Sequence, residues 1–162
     1  MIFFDPSLGQ AGLEMLSHTS VHNTTSNSMK IAIPKEIKKQ EHRVGLLPSV
    51  AYQLVQQGHT VLVERGAGEG TGYPDADYEQ AGATLTDDHA ALFAEGDLVV
   101  KVKEPLPEEY GLMRPGQVLF TYFHLAANCE LTEAVCRSGV TALAYETIEV
   151  NGRLPLLEPM SE

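Results

Sequence analysis

The chain has no tryptophan, two cysteines, and half as many basic side chains as acidic ones: 11 Lys and Arg against 22 Asp and Glu in 162 residues. Each shortage excludes something. A formal charge of −11 removes the Lys/Arg footprint needed to bind nucleic acid or an anionic membrane surface. It still permits a local cationic pocket for a small anion. Cys129 and Cys136 are seven apart, make no CxxC unit and cannot build a four-Cys zinc framework. Such low cysteine use fits a reducing cytoplasm. No stretch approaches the roughly 18 consecutive apolar residues of a membrane helix. The opening Met1-Ile2-Phe3-Phe4-Asp5 lacks the basic region of a secretory signal. What remains is ordinary globular material, 43% apolar and 20% charged. One domain of about 150 residues can bury about two-thirds of its unfolded surface, so a core needs no staples.

Residues 1–28 stand apart. They hold no Lys or Arg and end in the polar, aperiodic run Ser17 to Ser28. Such a run buries too little apolar surface to offset chain entropy, so a disordered extension is expected. A start of translation at Met29 is the other reading. His18 and His22 have the spacing of two helical metal ligands, but nothing there sustains a helix. Asn23-Thr24-Thr25 fits a glycosylation pattern, without meaning in a chain that is not secreted. The extension carries only Asp5 and Glu14, so −9 of the −11 belongs to residues 29–162.

From Met29 the pattern alternates. Strands are expected at 30–33, 60–64, 97–102, 117–123 and 141–145, all rich in apolar and β-branched residues. Helices are expected at 48–57, closed by Gly58, at 75–82 with Asp75 as N-cap, from Asp87 or Asp88 through Glu95, and at 130–138, closed by Gly139. Near-continuous apolar strands alternating with helices predict an α/β fold: a buried parallel sheet with helices on both faces, Rossmann-like or flavodoxin-like. Ligands of such folds bind at the carboxyl ends of the strands.

The polar residues after the strands therefore matter most. The first strand leads to Arg43. The strand from Asp97 runs into Lys101, Lys103, Glu104 and Pro105, with the two lysines on one face by the two-residue period. Strand 117–123 ends in His124. Arg43, Lys103 and His124 together offer a carboxylate fork, a point charge for a carbonyl, and a proton-transfer group near neutral pH. That set suits a small 2-oxo acid. The competing reading makes the cations surface charges and His124 a hydrogen-bonded core residue. The run Gly66-Ala67-Gly68-Glu69-Gly70-Thr71-Gly72-Tyr73 follows a strand as a dinucleotide loop would. Thr71 stands where the fingerprint needs Gly or Ala, and Tyr73-Pro74-Asp75 delays the helix, so a glycine-rich turn is expected.

Several segments resemble alanine dehydrogenase, the bacterial NAD-dependent L-alanine oxidoreductase. They are Met29 to Glu36, Glu41-His42-Arg43-Val44, Val100 to Tyr110, Leu119-Phe120-Thr121-Tyr122-Phe123-His124-Leu125-Ala126-Ala127, Ala144 to Thr147, and Leu154 to Glu162. The proton-translocating nicotinamide nucleotide transhydrogenases share the opening and the Gly-rich turn, but the His124 run is not expected of them. The resemblance implies a substrate-binding role for Arg43 and Lys103, an acid/base role for His124, and a cofactor contact at Ser161. Glu41 and His42 are expected to be supporting or surface residues. The substrates implied are L-alanine, or pyruvate with ammonia, and the cofactor is NAD. The resemblance further implies a homo-oligomer, a hexamer in the intact family, in the cytoplasm, with no nucleic-acid or membrane partner and no metal.

Residues 29–162 then correspond to an incomplete substrate-binding domain without the NAD-binding domain, expected neither to bind NAD nor to turn over alone. Two other readings stay open. One is a stand-alone module that senses 2-oxo acids or alanine without chemistry. The other is a subunit of the transhydrogenase type.

Overall fold

The computed structural model describes residues 28–160. The expected extension, with His18, His22 and Asn23, lies outside the described residues up to position 27, and so does Ser161. Ser28 belongs to the fold, its hydroxyl donating to the Gly58 carbonyl at 2.9 Å.

Six strands form one sheet: β1 (Lys30–Ile33), β2 (Thr60–Glu64), β3 (Thr84–Thr86), β4 (Leu98–Val100), β5 (Val118–Thr121) and β6 (Thr141–Ala144). Every ladder is parallel, and the order is β3-β2-β1-β4-β5-β6. This is the doubly wound order, whose direction reverses between β1 and β4. The intervening helices are α1 (Pro48–Gln56), α2 (Asp75–Gln80), α3 (His89–Glu95), α4 (Pro107–Tyr110) and α5 (Cys129–Ser138).

The pleat divides the core in two. Ala32, Leu62, Val99 and Leu119 point to one face, where they meet Leu92 and Phe93 of α3 and Leu131 and Val135 of α5. Ile33, Val61 and Val63 point to the other, against Ala51 of α1 and Tyr78 of α2. Residues such as Phe93, Leu119 and Leu131 show no exposed surface. Each contributes about 1.5–3 kcal/mol through burial. The helix ends follow local rules. The Asp88 carboxylate accepts the Ala91 N–H at 2.9 Å, and Asn128 accepts from Leu131 at 3.0 Å. Gly139 closes α5 at φ 71°, a left-handed turn that costs glycine nothing.

Some expectations need correction. Asp75 is not the N-cap of α2. Pro74 holds that place, and the Asp75 carboxylate instead accepts the Gly66 N–H at 2.8 Å. The strand expected over 97–102 covers only Leu98–Val100. Lys101 and Lys103 are thus past its end and do not share a strand face. Two short elements, β3 and α4, were not expected at all.

Candidate functional site

The carboxyl ends of β1, β4 and β5, adjacent in the sheet, feed three loops. Arg43 lies on the loop after β1, Lys103 three residues past β4, and His124 three residues past β5. All three expected residues therefore come to the same end of the sheet, at its switch point.

Arg43 is held by a neighbour. Its Nε donates to Glu41 Oε1 at 2.8 Å and its Nη2 to Oε2 at 2.7 Å. Its backbone N–H reaches Oε1 at 2.9 Å. This is a fork-to-fork pair. The Arg43 hydrogen bonds, with the more distant Lys103 ammonium, hold the Glu41 carboxyl down to about 2. Glu41, expected to be supporting or surface, is thus the group that aims the guanidinium. Arg43 stands between two cavities. One, about 350 Å³, is polar and lined by Lys35, Glu36, Glu41, His42 and Gly66 beside it. The other, about 300 Å³, has walls of Val102, Phe120, Tyr122, Tyr145 and Leu156. Tyr122 donates its hydroxyl to the Leu156 carbonyl, closing that wall.

Lys101 and Lys103, alike in sequence, differ in place. Lys101 is buried, 1% exposed, with Nζ 2.7 Å from Glu109 and 3.5 Å from Glu36. It cannot enter the crevice. Lys103 is half-buried, and its ammonium acts on Glu41 electrostatically. The cause of the difference is Glu36. Its carboxylate accepts the Val102 N–H at 2.6 Å and the Lys103 N–H at 3.3 Å, which ends the strand and turns Lys103 outward. Thr121 adds a hydroxyl bond to the Lys103 carbonyl at 2.8 Å. Burial raises the Glu36 pKa even though Lys101 opposes it.

Behind Lys101 the network continues. His89 lies between Glu64, 2.6 Å from Nδ1, and Glu109, 3.2 Å from Nε2. These bonds, Glu109 first, raise its pKa to about 9. Burial works against ionisation of Glu109, but His89 and Lys101 overcome it and leave its pKa lowered.

His124 is exposed and sits in the left-handed region at φ 53°, ψ 36°. Non-glycine residues rarely occupy that region. The Glu146 carboxylate holds it there, accepting the N–H groups of His124 at 2.7 Å and Phe123 at 3.1 Å. The ring stacks on Tyr122 with centroids 6.1 Å apart. It is therefore not a core histidine. Sequence reasoning left out Glu36, Glu109, His89 and Glu146. Glu36, Glu109 and Glu146 fall inside resembling segments, which is the signal that could have marked them.

The Gly-rich run is a turn, as expected. It contains a single 3₁₀ turn over Glu69–Thr71. A Cβ on Gly70 would lie 2.5 Å from the His42 carbonyl oxygen, and one on Gly68 2.7 Å from that of Tyr73. These glycines let the chain approach itself, not a pyrophosphate. The first turn of α2 carries Asp75 and Asp77, which would repel a phosphate. This turn does not fit the pyrophosphate of a dinucleotide. Among the described residues, no helix is long and apolar enough to cross a membrane.

The chain is a doubly wound α/β domain of the Rossmann-like class, with a guanidinium, an ammonium and an imidazole at the carboxyl ends of its central strands, where ligands of such folds bind. The chain belongs to the family described as alanine dehydrogenase/PNT, N-terminal domain, whose model matches residues 32–162. It is 55% identical over 134 residues to an alanine dehydrogenase of Halomonas elongata, covering 82% of this chain and 36% of that protein. Identity to the Bacillus subtilis alanine dehydrogenase is 54%, with 83% and 35% covered. A solved L-alanine dehydrogenase superposes with a TM-score of 0.80 at 57% identity, over 82% of this chain and 37% of that one. A Sinorhizobium meliloti transhydrogenase gives 0.69 at 32% identity, over 74% and 34%. The chain thus spans about a third of the length of the curated relatives it matches.

Proposed function

We propose that residues 29–162 form the substrate-binding domain of an NAD-linked L-alanine dehydrogenase, which interconverts L-alanine with pyruvate and ammonia. The observation that supports it most is the convergence of Arg43, Lys103 and His124 after β1, β4 and β5. Similarity to alanine dehydrogenases exceeds similarity to the transhydrogenase, at 57% against 32% identity.

In this reading the Arg43 guanidinium, aimed by Glu41, binds the substrate carboxylate. Lys103 donates to the carbonyl oxygen of pyruvate or contacts the amino nitrogen of alanine. His124 takes a proton from the water that adds to the imine carbon. It passes that proton to nitrogen, the C–N bond breaks and ammonia leaves, and His124 takes the hydroxyl proton as the carbonyl of pyruvate forms. NAD is the hydride acceptor of the reading, with Ser161 as a contact. The same resemblance supports a homo-oligomer, hexameric in the intact family, and a cytoplasmic location.

Calorimetry with pyruvate tests the proposal on the chain itself. Saturable binding is expected. Arg43→Ala should weaken it about 10- to 100-fold, the worth of a hydrogen bond to a charged group at about 1.5–3 kcal/mol. Binding that Arg43→Ala leaves unchanged would overturn the reading.

A further inference from the structure

Glu104 follows Lys103 directly and faces two ways. Oε1 accepts from the Lys38 ammonium. Oε2 is buried and has no hydrogen-bond partner among the described residues. A buried carboxylate oxygen without a donor is costly and rare, so its surroundings call for explanation. The cation-forming group it faces is His124, whose Nδ1 lies 3.6 Å from Oε2. That is longer than a hydrogen bond. Bonds of this kind are often long in an unliganded site and tighten when substrate arrives.

Three restraints already point the ring toward this contact. Lys38 fixes the far oxygen of Glu104, so the carboxylate cannot swing away freely. Glu146 pins the backbone of His124 in its left-handed conformation. Tyr122 stacks on the imidazole and limits its rotation. Burial opposes the charge of Glu104, but Lys38, a backbone N–H and His124 together overcome it and leave its pKa lowered.

We propose that Glu104 is a positioning residue for His124. It accepts the Nδ1–H, fixes one tautomer, and leaves Nε2 as the nitrogen that takes and returns the proton. A histidine commonly has its tautomer set by the partner of its other nitrogen. Glu104 touches no reacting atom and acts through His124. The inference rests on the reading of His124 as the proton-transfer group.

Ring ¹⁵N chemical shifts of His124 in the labelled chain, recorded where histidine is neutral, test it without any turnover. A His124→Gln sample assigns the signals. In the wild type the proton is expected on Nδ1. Glu104→Leu removes the acceptor and should move the proton toward Nε2. Glu104→Gln leaves its one oxygen to the Lys38 ammonium and turns its amide NH2, a donor, toward Nδ1, so it too should move the proton to Nε2, a shift that a merely space-filling role would not give. An Nε2–H wild type overturns the proposal, and this result needs no variant to fold. An unchanged tautomer in Glu104→Leu overturns it equally. A pyruvate titration of the same samples reads the substrate site separately. Absent binding with the expected tautomers refutes the proposed function and supports the Glu104 contact.

Discussion

Replacing His89 with Gln should flatten the stability of this domain between about pH 6 and pH 10. His89 is held by Glu109 and Glu64, which raise its pKa from 6.5 to about 9. A folded pKa above the unfolded one means that the charged ring stabilises the fold. That stabilisation is fully present below the unfolded value near 6.5 and is lost as pH rises through about 9. The difference of about 2.5 units corresponds to roughly 3 kcal/mol at 1.36 kcal/mol per unit. The His89 side chain is 23% exposed, so screening by water removes only part of this. With a urea m-value of about 2 kcal/mol/M, the midpoint of the wild type should fall relative to His89→Gln by about 1.5 M over that range. The shares of Glu109 and Glu64 are already inside this figure. Urea unfolding of both proteins at about pH 6, 8 and 10, followed by circular dichroism, gives the comparison. Parallel curves for wild type and variant would refute the reasoning.

Lys101→Met removes the ammonium between Glu109 and Glu36. Breaking a buried ion pair leaves an uncompensated charge at a cost of about 3–5 kcal/mol, so thermal unfolding should show a Tm lower by about 10 °C or more. Glu41→Gln loosens the Arg43 fork and should weaken pyruvate binding about 10-fold in calorimetry. The Glu41 carboxyl is held down to about 2. Its contribution is therefore present above pH 4.5 and lost only as pH falls through about 2, so acid titration to pH 4 should leave the Arg43 contact intact. Gly70→Ala places a Cβ 2.5 Å from the His42 carbonyl. Denaturation should register a loss of about 1–3 kcal/mol.

The sheet was readable because buried parallel strands are almost wholly apolar. β1 and β2 fall where Lys30–Ile33 and Thr60–Glu64 predict them. The stops at Gly58 and Gly139, both at positive φ, were readable for the same local reason. β3 was not, because three residues with an exposed Thr84 carry no period. α4 is a single turn, too short for one. The place of the candidate site followed from the fold: in a parallel sheet the loops after the strands border the crevice. Which lysine enters it did not follow. That depends on Glu36, whose contact with Val102 spans 66 positions of sequence. No local pattern encodes such a contact. The aim of Arg43 was readable in principle, since Glu41 is two residues away, but two-residue spacing alone does not tell a bidentate partner from a solvated charge.

The central claim is that Arg43, Lys103 and His124 make one site for a small 2-oxo acid. Titrating the ¹⁵N-labelled chain with pyruvate and following its backbone amides tests this directly. Saturable shifts should gather on the loops after β1, β4 and β5, around Arg43, Lys103 and His124, and should need at least about 10-fold more pyruvate in Arg43→Ala and in Lys103→Met. Shifts confined to the Gly66–Tyr73 turn, or none at saturating pyruvate, would contradict it.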